Sequence, residues 1–132
     1  MNKTNILKLW SAAVGSMDAV TGLLLVFSPL LALRLLGISA PSGEAVVFLS
    51  WIGVFVLAVG LSYGFAMGRR SRGETVWMFT SMARLLVAAF LTFRILDGSL
   101  AKAWMVVAVS DASVAVVQLL ILRAGWWEEV PR

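Results

Sequence analysis

Neither cysteine nor histidine occurs among the 132 residues. Their absence excludes disulfides, thiol nucleophiles, Ser–His relays, haem ligation by either residue, and thiolate or imidazole metal sites. It is silent about redox compartment, because a bundle packed in lipid needs no covalent staple. Charge is scarce too: 14% of the residues are charged and 61% are hydrophobic. Ordinary soluble domains carry roughly 25% charged and 45–50% apolar residues. A mean hydropathy of +0.94 places the chain among membrane proteins.

What is present is a set of long apolar runs. Four are long enough to cross a bilayer, over residues 6–27, 45–67, 75–96 and 100–122. The expected fold class is therefore all-α: an integral membrane bundle of four transmembrane helices in up-down order, forming one domain over residues 1–132. Lys3 and Lys8 before the first run resemble a signal peptide. However, the run continues through Asp18 to Phe27 with no small-x-small cleavage site, so it reads as a retained helix.

The net charge of +4 does not point to nucleic acid, because the basic residues gather at segment ends rather than in one patch. Lys3, Lys8, Arg69, Arg70, Arg72, Arg123 and Arg132 fall on one side of a four-span layout, and Arg34, Arg94 and Lys102 on the other. By the positive-inside rule both termini face the cytoplasm, in a multi-pass protein of the inner (plasma) membrane. The tryptophans fit the same layout as an aromatic belt, with Trp10, Trp77, Trp126 and Trp127 at one interface and Trp51 and Trp104 toward the other.

Within the first span Ser11, Gly15, Asp18 and Gly22 share one narrow face, where small residues let a neighbouring helix approach. Ser28-Pro29 reads as a helix restart, with serine as N-cap and proline at the first helical position. The short helix it starts ends at Gly37 and lies at the interface, with Arg34 reaching headgroups or water. In the second span Gly53, Gly60 and Gly64 form a stripe containing a G-x-x-x-G pair, suited to intramolecular packing or to dimerisation. Residues 68–74 read as a tight charged loop, and Asp97-Gly98-Ser99 as a turn.

Three charges stand near mid-span: Asp18 in the first helix, Arg84 in the third and Asp111 in the fourth. An arginine at bilayer mid-depth costs about 2.5–3.5 kcal/mol even on lenient insertion scales, so it needs a partner. The third and fourth helices are joined by a short turn and must be antiparallel neighbours, which puts Arg84 and Asp111 at one depth. Asp18 completes a triad if the first helix packs beside the third. Fully ionised, the triad carries net −1. In one reading the charges only fix helix register. In the other they line a wet cavity that binds a proton, an ion or a small polar group, with Ser110, Ser113 and Gln118 hydrating it. The candidate site is Asp18, Arg84, Asp111 and Gln118, with no catalytic or metal-ligating set and no cofactor implied by the residues alone.

The chain also resembles the DoxX-like group of small four-helix bacterial membrane proteins. The resemblance lies in GLLLVFSPLLALRLLG (residues 22–37), WIGVFVLAVGLSYGFA (51–66), MARLLVA around Arg84 and VSDASVA around Asp111. An arginine common in that group at the head of the second-helix glycine stripe is replaced here by Ser50-Trp51. The resemblance implies a membrane bundle, in some members an accessory subunit of a quinone-linked oxidoreductase. The expected function is a binding or accessory membrane protein, as a homo-oligomer or with a partner membrane subunit in the bilayer. A small proton-coupled exporter using Asp18 is the first alternative, and a membrane enzyme using Asp18 or Asp111 as acid or base the second.

Overall fold

A computed structural model describes residues 1–132, and its regular structure is all helical, with four helices long and apolar enough to cross a membrane. Helix α1 covers Lys3–Phe27, and the short α2 covers Pro29–Leu35. Helix α3 covers Glu44–Ser62 and tightens into a 3₁₀ segment at Tyr63–Met67. Helix α4 covers Arg70–Leu96. Helix α5 covers Met105–Arg123, preceded by a 3₁₀ turn at Lys102–Trp104 and followed by another at Trp126–Glu129.

Local chemistry sets the boundaries. The Asn2 side chain accepts from the Asn5 amide at 2.8 Å and caps α1. Pro29 stops α1, because the residue before a proline is pushed out of helical geometry: Ser28 sits at φ −143°, ψ 60°. The Ser28 hydroxyl makes no capping bond, so the restart belongs to the proline rather than to the expected serine cap. Gly37 closes α2 at φ 70°, where Gly37 N donates to Arg34 O at 3.0 Å and Ile38 N to Leu33 O at 2.9 Å. These two bonds are those of a Schellman cap. One face of α2 is not at an interface: Ala32 and Leu33 are buried with Leu25 and Leu49, while Arg34 points outward as expected.

The bundle consists of two antiparallel hairpins, α1 with α3 and α4 with α5. Gly15 lies on Gly60 and Tyr63, Gly22 on Leu57, and Gly53 on Leu25 and the Gly22 carbonyl. The seam therefore runs through glycines seven apart on each helix. Gly64 has open space where a side chain would be, so the G-x-x-x-G pair is not the packing unit. The charged loop expected over residues 68–74 is also shorter than read. Helix α4 already begins at Arg70, where Arg70 Nε donates to Glu74 Oε1 at 2.8 Å and Pro131 O accepts from Arg70 N at 3.1 Å. An i,i+4 ion pair and a cap contributed by the chain terminus make this polar stretch helical.

The hairpins meet at both ends. At the end bearing the termini, Leu7, Val14, Tyr63, Ala66, Trp77, Trp127 and Val130 form a core, with Trp77 and Trp127 edge to face at 5.3 Å. At the other end Trp104 packs on the Leu25–Leu33–Leu49 cluster. Trp77 and Trp127 are thus core residues, not members of an interfacial belt, whereas Trp51 is exposed. The outer surface is apolar, with Phe48, Phe55, Phe79, Leu86, Phe90 and Leu120 exposed around the bundle. Continuous apolar surface of this kind is what hydrocarbon accommodates and water does not.

Candidate functional site

Small neighbours bring the three mid-span charges together. Asp18 lies on the buried face of α1 between Gly15 and Gly22, which let α3 close over it. Arg84 is buried on α4 with Ser81 one turn before it and Ala88 one turn after. Asp111 on α5 is flanked by Ala108 and Ala115, both buried, so α5 can approach α4 closely. No tight backbone approach joins α1 to α4 or α5, and the long arginine side chain bridges the gap.

Arg84 Nη1 donates to Asp111 Oδ1 at 2.6 Å, and Arg84 Nη2 donates to Asp18 Oδ2. The triad anticipated from equal depth is therefore a direct contact of all three side chains. The side chains of Arg84, Asp18 and Asp111 are 6%, 10% and 19% exposed, so Asp111 is the member that reaches the surface. The site is incomplete in two respects. Two carboxylates share one guanidinium, and the buried Arg84 Nε has no hydrogen-bond partner. Buried polar groups are otherwise almost always satisfied, so this donor is open to an acceptor such as water or a ligand group.

Gln118 stands elsewhere. It is fully buried in the polar layer next to the triad on the side of the termini, with Tyr63 between it and Arg84, and makes no hydrogen bond to the triad itself. Its Oε1 accepts from Tyr63 Oη at 2.7 Å and Trp10 Nε1 at 3.2 Å. Its Nε2 donates to Ser81 Oγ at 2.9 Å and Thr80 Oγ1 at 3.2 Å. Beside this layer Trp77 Nε1 donates to Ser11 Oγ at 2.9 Å. Sequence reasoning missed Tyr63, Thr80 and Ser81. The available signal was the chain's single tyrosine inside an apolar run, and two hydroxyls one turn before Arg84. Ser110 and Ser113 do not hydrate the triad: both are exposed, and Ser113 Oγ donates to its own helix at Val109 O, 2.7 Å away.

Outside the spans, Asp97 accepts from the Ser99 hydroxyl and from the Ser99 amide at 2.9 Å, and pairs with Arg94 at 3.1 Å. The hydroxyl, then the amide, hold its carboxyl below the usual range. This is a self-satisfied turn, distant from the triad in sequence and depth.

No protein-family model, curated protein or solved structure matches the chain.

Proposed function

We propose that this protein is a binding or accessory membrane protein whose intramembrane Asp18–Arg84–Asp111 site takes up one positively charged or hydrogen-donating group, from a small ligand or from a partner subunit. The observation that carries this reading is the incompleteness of the triad. Fully ionised it carries a net charge of −1, and both that charge and its unmatched Nε–H are expensive in low dielectric. A ligand that brings a cationic donor to Asp111 and an acceptor to Arg84 removes both costs. Asp111 is the point of entry because it is the most exposed member. The exporter alternative depends on Asp18, which is held by Arg84 and is less exposed than Asp111, so the geometry favours binding over transport. The DoxX-like resemblance agrees with an accessory role beside a quinone-linked system. A bacterial inner membrane is the setting we propose, with both termini in the cytoplasm.

The test of the site uses the protein in liposomes, with dicyclohexylcarbodiimide as a carboxyl label and decylammonium as the cationic competitor. Labelling should fall mainly on Asp111, disappear in Asp111→Asn, and slow several-fold with decylammonium. Labelling that ignores the amine would sink the proposal.

Orientation is checked separately. Reporter fusions at the C-terminus should read cytoplasm, and fusions after Ser99 the opposite side, because the basic residues concentrate at the end bearing the termini. A periplasmic signal from the C-terminal fusion would overturn it.

A further inference from the structure

We infer that the C-terminal strap, residues 126–132, is a releasable lid that covers one end of the interior between the two hairpins and keeps water out of the polar layers leading to the triad. Gly125 ends α5 and turns the chain at φ 72°, a left-handed conformation that suits glycine. Beyond it, a single 3₁₀ turn sets the Trp127 indole, 2% exposed, into the core at the end bearing the termini. Gly73 makes room for it: any β-carbon there would collide with the far edge of the Trp127 ring.

The position of Trp127 makes it a lid rather than a surface patch. Along α4, Gly73 lies under Trp127, Trp77 follows one turn deeper, then Thr80 and Ser81 with Gln118, then Arg84. These positions span about 16 Å at helical rise. The four stations form one column, from the strap through the indole pair and the glutamine layer to the charges. Apart from the close approach of the Tyr63–Met67 segment to α4, the large side chains of that column fill the space between the hairpins.

The polar fastenings of the strap are few. Lys3 Nζ pairs with Glu129 Oε1 at 2.7 Å, both side chains about half exposed, and Pro131 O accepts from Arg70 N at 3.1 Å. An exposed ion pair of this kind holds weakly. Val130 is buried beside the indole. Trp127 Nε1 itself is buried with no acceptor. Closure therefore leaves this donor unpaired, and release returns it to water, so the strap is held by apolar burial against a polar cost. This balance suits a segment that opens.

The inference rests on the proposed binding site only for what the opening serves; the lid is tested without it. The absence of native cysteine permits single-thiol probes with no background. Ser81→Cys places a thiol in the fully buried glutamine layer, and Ser11→Cys places one beside it on α1, against Trp77. With the strap intact, a charged, membrane-impermeant methanethiosulfonate should label either thiol slowly. Adding Trp127→Ala should raise the rate several-fold. Lys3→Glu, which sets two acids against each other at the outer fastening, should do the same without touching the core. Pairing it with Glu129→Lys should restore slow labelling. That rescue separates release of a lid from general loosening of the bundle. Rapid labelling with the strap intact, or rates unmoved by both Trp127→Ala and Lys3→Glu, would overturn the lid. Because these rates do not involve Asp111, the lid and the cation site can fail independently.

Discussion

Arg84→Met should be the most damaging single substitution in the bundle, costing about 3–5 kcal/mol, the range for removing one partner from a buried ion pair. It strands two carboxylates at once, because Asp18 and Asp111 are both bound by this guanidinium. Asp18→Leu should cost less, since Arg84 keeps Asp111. Asp111→Leu should cost least, because that side chain is the most exposed of the three. The combinations carry the argument. Arg84→Met with Asp111→Leu should recover only part of the loss, as Asp18 stays buried without a partner. Arg84→Met with Asp18→Leu should recover more, and the triple substitution most, because three apolar side chains need nothing from one another. Reversible unfolding in mixed micelles gives each stability. Losses that simply add from singles to triple would show that the three residues are uncoupled, contrary to their geometry. Recovery of stability with loss of amine-sensitive labelling would place the triad in a working site. Recovery of both would leave it as a device for fixing helix register.

The second large effect belongs to the α1–α3 seam. Gly60→Ala and Gly22→Ala should each destabilise the bundle by about 1–3 kcal/mol, the usual cost of overpacking a filled interior. The new methyl at Gly60 would meet the backbone nitrogen of Ala19, and the one at Gly22 the backbone of Leu57. Backbone cannot rotate out of the way as a flexible side chain can, so the helices must move apart. Such movement also loosens the cover over Asp18, which lies on the same face of α1. Gly64→Ala is the control. Nothing lies within 4 Å of its added carbon, so stability should hold or rise slightly. Thermal unfolding of the three variants in one detergent ranks them. A Gly64 variant as weak as the Gly60 variant would argue for the G-x-x-x-G pair after all.

Four helices, their approximate ends and the mid-span triad were legible in the amino-acid sequence because each follows from a cost that the bilayer imposes locally. An apolar run of spanning length has few other stable forms, and a charge at mid-depth must find an opposite charge at the same depth. That logic paired Arg84 with Asp111 through their short turn and admitted Asp18 as the third member. The remaining features depended on how each helix is rotated about its axis and on what a distant segment brings to it. Periodicity groups Gly53, Gly60 and Gly64 on one side but cannot say that Gly15 and Gly22 meet the first two and leave Gly64 open. Ser110 and Ser113 flank Asp111 in sequence yet face outward, while Gln118, a heptad away, turns into a different polar layer. The first turn of α4 read as a loop because its charges favour water. It is helical because Glu74 pairs with Arg70 and because Pro131, some sixty residues on, caps its first amide. Trp77 and Trp127 looked interfacial by position, and Gly73 turned them into core by leaving space for a ring. Lipid dictates what a segment must be from its own composition; which of its faces is buried, and against what, is settled only when all four helices compete for the same interior.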